Sequence, residues 1–158
     1  RIARIKELMP ECCIGVDVIT GFPGETEEDF LITYEFLNSL DVSYLHVFTY
    51  SERDNTLAQT MPGAVHQAER NRRTSMLRIL SEKKKHHFYE QSLGQETLVL
   101  FEDDIENGMM HGFTHNYVRV AAKYDPILIN ELKKVRLTSI NKDCIMEAED
   151  AEIEVLVH

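Results

Sequence analysis

Apolar and polar positions alternate in two different ways along this chain. From Ile2 to Met9 the apolar positions Ile2, Ile5, Leu8 and Met9 follow helical spacing, and Pro10 disfavours helical geometry in the residue before it. Gly15–Thr20 is an apolar run with Asp17 embedded, as expected of a parallel strand covered on both faces. A Gly/Pro/Gly turn, Gly21-Phe22-Pro23-Gly24, follows. Thr26 then opens a helix, with Asp29 placed for a capping box and Glu27 and Glu28 at its positive end. Phe30, Tyr34 and Leu37 share one face of that helix, and a strand is predicted at Tyr44–Tyr50. Helix, strand, helix, strand is the rhythm of a parallel sheet or barrel, and two strands alone close neither.

Past a loop holding Asp54, Asn55, Pro62 and Gly63, a long helix is predicted over roughly Val65–Leu93. Its buried candidates are Val65, Ala68, Met76, Leu80 and Phe88, and Gly94 marks its stop. The pattern then changes to short strands at Thr97–Phe101, Tyr117–Ala122, Lys134–Ile140, Cys144–Ala148 and Ile153–Val157. Turn signals at Glu106-Asn107-Gly108, Tyr124-Asp125-Pro126 and Asn141-Lys142-Asp143 separate them. Leu128–Leu132 fits a strand or a short helical turn equally. The expected architecture is α/β plus all-β. Residues 1–90 form the α/β part with its long linking helix, and residues 91–158 form a small antiparallel, OB-like β-barrel.

Composition narrows the function classes. The 158 residues carry a net charge of −10, which argues against nonspecific nucleic-acid binding by bulk electrostatics. Residues 1–88 hold 11 basic and 13 acidic side chains (−2), and residues 89–158 hold 6 and 14 (−8). Within 66–88 the balance reverses: Arg70, Arg72, Arg73, Arg78, Lys83, Lys84 and Lys85 stand against Glu69 and Glu82, which reads as a solvated helix face. No apolar run approaches the ~20 residues of a membrane span. There is no signal-peptide pattern, and the chain opens without Met inside an amphipathic pattern, as expected of a piece of a longer protein. Cys12, Cys13 and Cys144 suit neither a metal cage nor a disulfide framework and read as reduced thiols in a cytoplasmic protein.

Individual residues bear on chemistry. The Gly21–Gly24 turn can cradle an anion or a ligand edge, since glycine permits close backbone approach and the following amides point outward. It is neither a P-loop nor a dinucleotide fingerprint. Asp17 reads as a structural acceptor. His86 and His87 splay across a helix, and Gly112 breaks any helix that would pair His111 with His115, so no histidine metal site is expected.

Three segments carry a resemblance. Asp17–Phe30 resembles the conserved segment of MiaB/MtaB-type radical S-adenosylmethionine (SAM) methylthiotransferases. Tyr50-Ser51-Glu52-Arg53-Asp54-Asn55-Thr56 is similar to that family's Tyr-Ser-x-Arg-x-Gly-Thr segment, and Gly108–Val120 resembles its RNA-binding TRAM domain. Asn116-Tyr117 and Glu52–Asn55 look closest to the branch acting on N6-threonylcarbamoyladenosine in tRNA; a sister branch acts on isopentenyladenosine. Two departures stand out: Asn55 replaces the usual glycine, and Leu57 replaces a frequent proline. Asn tolerates left-handed backbone, so the turn can survive the first.

The resemblance implies the C-terminal part of a radical-SAM (β/α) barrel followed by a TRAM β-barrel. It implies SAM and two [4Fe-4S] clusters as cofactors, cleavage of SAM to a 5′-deoxyadenosyl radical, and methylthiolation at C2 of the adenosine beside the anticodon. Gly21, Gly24, Glu25, Tyr50, Ser51 and Arg53 would line the SAM site, with an Arg53–Glu25 ion pair as the structural alternative for Arg53. Phe113, Tyr117, Arg119, Lys123, Lys133, Lys134 and Arg136 are the RNA candidates, for stacking and phosphate contact with a tRNA anticodon stem-loop. Strand alternation would put Tyr117 and Arg119 on one face, and Lys134 and Arg136 on one face of another strand. Cluster ligands are expected outside this chain, which holds no Cys-x-x-x-Cys-x-x-Cys, so the piece should be inactive alone and its parent is expected to be a monomer. The rival readings are a ribosomal-protein methylthiotransferase and a non-catalytic, RNA-binding TRAM protein.

Overall fold

The computed structural model describes residues 1–151, so the strand expected at Ile153–Val157 lies outside the described residues. The chain forms two compact units, one of Arg1–Lys85 and one from His86 onward. Among the described residues no helix is long and apolar enough to cross a membrane.

The first unit runs α1 (Ile2–Leu8), β1 (Gly15–Thr20), α2 (Glu27–Ser39), β2 (Tyr44–Thr49) and most of α3 (Gln67–Glu90). Thr26 caps α2 in a full capping box: its hydroxyl accepts from the Asp29 amide at 3.1 Å, and Asp29 Oδ2 accepts from the Thr26 amide at 3.0 Å. Such a cap is worth about 1 kcal/mol. β1 and β2 pair in parallel from Gly15↔Tyr44 to Thr20↔Thr49. Phe30 and Leu37 of α2, Val42, Leu45 of β2, and Leu77 and Leu80 of α3 make the core, with Val16, Val18, Tyr34 and Met76 packed against it. α3 also closes a backbone edge, because Ser81 Oγ accepts from the Leu45 amide at 2.8 Å and donates to its carbonyl at 2.9 Å.

Only one face of this sheet is covered. Val16, Val18 and Thr20 face the helices, whereas Gly15, Asp17 and Ile19 are exposed. The expectation of a strand buried on both faces is therefore corrected, and Asp17 is a solvent-facing carboxylate rather than a buried acceptor. α2 and α3 pack on one side and nothing in the unit covers the other.

The second unit takes up the end of α3 and five strands: β3 (Glu96–Glu106), β4 (Met109–Thr114), β5 (Arg119–Lys123), β6 (Leu132–Ile140) and β7 (Met146–Asp150). They close into a barrel in the order β3-β4-β5-β7-β6. All pairings are antiparallel except β5–β7, so the wholly antiparallel expectation is corrected by one parallel pair. This is the strand order of a five-stranded Greek-key barrel. β3 and β4 meet in a tight hairpin at Asn107-Gly108, both with positive φ (51° and 78°), as a primed turn requires. β4 was absent from the expected strands: Met109-Met110-His111-Gly112 has little β-forming character, and pairing on both sides holds it. Gly112 is needed there, since a Cβ would strike the Leu100 carbonyl and the Phe101 backbone. Val99, Phe101, Met110, Val118, Val120, Val135, Leu137 and Met146 fill the interior. The ambiguous Leu128–Leu132 segment is neither alternative throughout: Pro126–Leu128 is a single 3-10 turn, and Leu132 starts β6.

Candidate functional site

The turn after β1 and the segment after β2 stand side by side, because parallel strands in register deliver their C-terminal ends together. Between them lies a cleft of about 490 Å³ lined by Ile19, Phe22, Phe48, Thr49, Tyr50, Ser51, Arg53, Thr56 and Ala58. Its apolar walls are open: Ile19 is 58% exposed and Phe48 52%. The Tyr50 ring meets Phe22 edge-on with centroids 5.3 Å apart, and its hydroxyl is buried with no hydrogen-bond partner. A buried hydroxyl left unpaired costs about 1–3 kcal/mol, so a partner arriving with a ligand would recover that. Ser51 and Arg53 are exposed, and Arg53 has no ion pair among the described residues. Asn55 takes φ 63°, so it reproduces the left-handed turn that a glycine would make.

The glycine turn works differently from its sequence expectation. Gly21 and Gly24 both have positive φ (81° and 89°), but their amides do not point outward. The Gly21 amide donates to Glu25 Oε2 at 2.7 Å, the Gly24 amide to the Gly63 carbonyl at 2.8 Å, and the Glu25 amide to the Phe22 carbonyl at 3.0 Å. An acidic side chain of the chain itself thus occupies the place proposed for an anion. Glu25 also accepts from Arg73 Nη1 at 2.7 Å, so the Arg53–Glu25 pair does not form.

Arg70 and Arg73, early in α3, tie these turns down, while Arg72 between them pairs with the first turn of α2 and with Glu69 of its own helix. Arg70 and Arg73 are 5% and 4% exposed, which corrects the solvated-face reading for those two, while Arg72, Arg78 and Lys83 are exposed as it expects. Arg70 clasps both carboxylate oxygens of Glu52 at 2.6 and 3.1 Å and donates to the carbonyls of Val65 and Tyr50 at 2.7 and 3.3 Å. Arg73 joins Glu25, Glu27 and Glu69, and Arg72 bridges Glu27 and Glu69. Hydrogen bonds from Arg72 hold the Glu69 carboxyl down at about 2, and those from Arg70 lower that of Glu52. Sequence reasoning passed over Arg70 and Arg73; their i, i+3 spacing, one helical turn ahead of the apolar Leu77 and Leu80, was the available signal.

On the barrel, the register lines up Leu132 of β6, Leu100 of β3, Phe113 of β4 and Arg119 of β5 in one row across the outer surface. Tyr117 is not on the strand with Arg119. It sits in the β4–β5 turn with φ 64°, 71% exposed, its ring 6.1 Å from Phe113. Most of the cations are already paired: Arg119 with Asp104, Lys133 with Asp150, and both Lys134 and Arg136 with Glu96, at 2.6–2.7 Å. Glu96 is accordingly held below the usual carboxylate range by Lys134 and then Arg136. Lys134 and Arg136 do share one face, as alternation requires. Lys123 is exposed and has no ion pair among the described residues.

Histidines and thiols form no metal centre: among the described residues no group of three or more His, Cys, Asp or Glu could hold an ion. His86 and His87 both lean toward Glu90 at 3.4 and 3.6 Å. His111 is buried on β4, its Nδ1 3.4 Å from Asp104 without a hydrogen bond. Cys12, Cys13 and Cys144 form no disulfide among the described residues, and burial pushes the Cys13 thiol up.

No family model matches the sequence. Curated relatives do. The chain is 34% identical over 141 residues to a threonylcarbamoyladenosine tRNA methylthiotransferase MtaB of Bacillus subtilis strain 168, covering 87% of the chain and 31% of the relative. The MtaB of Aquifex aeolicus strain VF5 is 40% identical over 116 residues, covering 73% and 27%. A ribosomal protein uS12 methylthiotransferase RimO of Alkaliphilus oremlandii is 33% identical over 153 residues, covering 96% and 35%. The chain spans about a third of the length of the curated relatives it matches.

Proposed function

Because the chain belongs to the MiaB/MtaB-type methylthiotransferase family, we propose that it is part of a tRNA-modifying enzyme that places a methylthio group on C2 of N6-threonylcarbamoyladenosine beside the anticodon. The observation that carries this reading is that the two family segments, far apart in sequence, form opposite walls of one cleft.

The cleft suits SAM. Ile19, Phe22 and Phe48 offer apolar wall to an adenosyl group, Tyr50 an unpartnered hydroxyl, and Arg53 a free cation for a carboxylate. When bound, SAM would supply the radical chemistry and the methyl group, and the chain's residues bind it and shield it from water. Gly21, Gly24 and Glu25 contribute by holding the turn in shape, since their polar groups are spent inside it. The cysteines present do not fit iron–sulfur clusters: Cys12 and Cys13 are adjacent and Cys144 stands in the barrel unit. Residues 1–90 read as the closing part of a radical-SAM barrel, whose interior the uncovered sheet face would line.

Residues from 91 onward read as a TRAM module. β4 and β5 are the second and third strands of its barrel, the face on which five-stranded barrels of this order carry oligonucleotides. Phe113 and Tyr117 would stack bases, with Arg119, Lys123, Lys133, Lys134 and Arg136 at the backbone. The parent would act as a soluble, cytoplasmic monomer on the anticodon stem-loop.

The test is mass spectrometry of tRNA nucleosides from cells lacking the full-length gene. Loss of the 2-methylthio form of N6-threonylcarbamoyladenosine is expected. Unchanged tRNA with loss of a ribosomal-protein methylthio group would overturn the assignment in favour of the second reading, which the match to RimO over 96% of this chain favours.

A further inference from the structure

The cleft has a feature that its own lining does not explain. The Tyr50 hydroxyl bonds to nothing, so hydrogen bonding within the chain does not orient the phenol ring. Two ring contacts do. Phe22 meets the ring edge-on at 5.3 Å, and the Arg70 guanidinium lies 5.2 Å from its centroid.

Arg70 reaches both walls at once. On the β2 side it binds the Tyr50 carbonyl and the Glu52 carboxylate. On the β1 side its aliphatic stem fills the space where a side chain at Gly21 would stand: a Cβ there would lie 2.5 Å from Arg70 Cγ. Its remaining bond, to the Val65 carbonyl, anchors it at the start of α3. A planar guanidinium can make the bidentate pair with Glu52 and lie against an aromatic ring together, whereas an ammonium cannot. Arg72, two residues on, makes ion pairs with Glu27 and Glu69 and reaches neither Tyr50 nor Glu52.

We propose that Arg70 is a positioning residue of this cleft: it sets the Tyr50 ring, and through it the unpartnered hydroxyl, against the glycine turn, so that the cleft is shaped for its ligand before the ligand arrives. This rests on reading the cleft as the SAM site. Preorganisation of this kind acts on affinity, because ligand binding no longer has to immobilise the ring.

The experiment measures the equilibrium affinity of the full-length protein for S-adenosylhomocysteine by calorimetry, well below the melting midpoint. The variants are Arg70→Lys, Tyr50→Phe, Phe48→Asp and, as a control for lost ion pairing on the same helix, Arg72→Met. Arg70→Lys should raise Kd about tenfold and Arg72→Met less than about twofold, tenfold being the effect of one well-placed contact. An unchanged Kd in Arg70→Lys, with Tyr50→Phe weakened, overturns the positioning role and leaves the cleft reading standing. An equal loss in Arg72→Met also overturns it, as a general effect of ion-pair loss. Unchanged Kd in both Tyr50→Phe and Phe48→Asp removes the cleft reading itself. Should Arg70→Lys fail to fold, Glu52→Gln decides: it loosens the bidentate grip from the exposed side, and Kd should rise about threefold. No rise there refutes the proposal.

Discussion

The two units solve the same problem, a sheet with edges and faces to cover, in opposite ways. The barrel closes on itself: each strand has two neighbours, and its largest interior side chains are fully buried. The α/β unit keeps an open two-stranded sheet with both helices on one side, leaving Ile19, Phe22 and Phe48 on the other. A closed barrel is self-sufficient because its strands satisfy one another's backbone, while two strands alone are marginal in water. The uncovered face is where the cleft forms. The open face of the α/β unit is the one that both family segments border.

Charge is handled in opposite ways too. In the α/β unit, Arg70 and Arg73 are buried and their hydrogen bonds hold particular turns. In the barrel, cations and carboxylates lie on the outer surface, where such pairs contribute roughly 0–1 kcal/mol.

Each side of this comparison can be broken. Phe101→Ala should cost about 3–5 kcal/mol by emptying the barrel interior. Hydrogen exchange should show lost protection in β3–β7 with α2 little changed; equal loss in both units would refute their independence. Arg73→Met strands Glu25 beside the turn, while Glu27 and Glu69 keep Arg72, and should cost roughly 3 kcal/mol in urea denaturation, near the value for breaking a buried pair. A cost below about 0.5 kcal/mol would make Arg73 an ordinary surface residue after all. Thr26→Ala removes the capping box of α2 and should cost about 1 kcal/mol, with Thr26→Ser restoring most of it.

Glu96→Gln tests the barrel surface. It releases Lys134 and Arg136, should change stability by less than about 1 kcal/mol, and should tighten anticodon stem-loop binding with a steeper salt dependence. Weaker binding would show that those cations do not meet the phosphates. The smallest effect is the acid response of the α/β unit. Glu69 has its folded pKa lowered to about 2 from 4.5, so the unfolded chain binds more protons between those values. Its contribution is therefore present above about pH 4.5 and lost as pH falls toward 2. Glu69→Gln should flatten that part of the stability curve.

Much of the local structure was legible in the chain. The apolar run Gly15–Thr20 is β1, and Thr26 with Asp29 forms the capping box that their spacing promised. Asn107-Gly108 makes its hairpin, and Asn55 adopts the backbone of the glycine it replaces. In the candidate site, the family segments marked both cleft walls. Such features depend on a few neighbouring residues, so the sequence displays them directly.

What escaped depended on distant partners. Met109–Thr114 is a strand because β3 and β5 flank it, not because its residues favour one. Tyr117 reads as the start of β5, yet the Thr114–Val118 backbone bond turns the chain there and puts its ring in solvent. Asp17 lies in an apolar run but faces outward, since both helices pack on the other side.

By itself, then, the sequence determined where most of the helices and strands lie, that Asn55 and Asn107-Gly108 make left-handed turns, and which family the chain joins. Those are properties of short windows of residues. Only the tertiary structure decided what charged groups are for. A basic stretch looks like a solvated face until α3 docks beneath the two turns; docking strips water from Arg70 and Arg73, and a desolvated guanidinium must find carboxylates and carbonyls to bind. The partners it found, Glu25, Glu52 and the backbone of Tyr50, are the groups that shape the cleft.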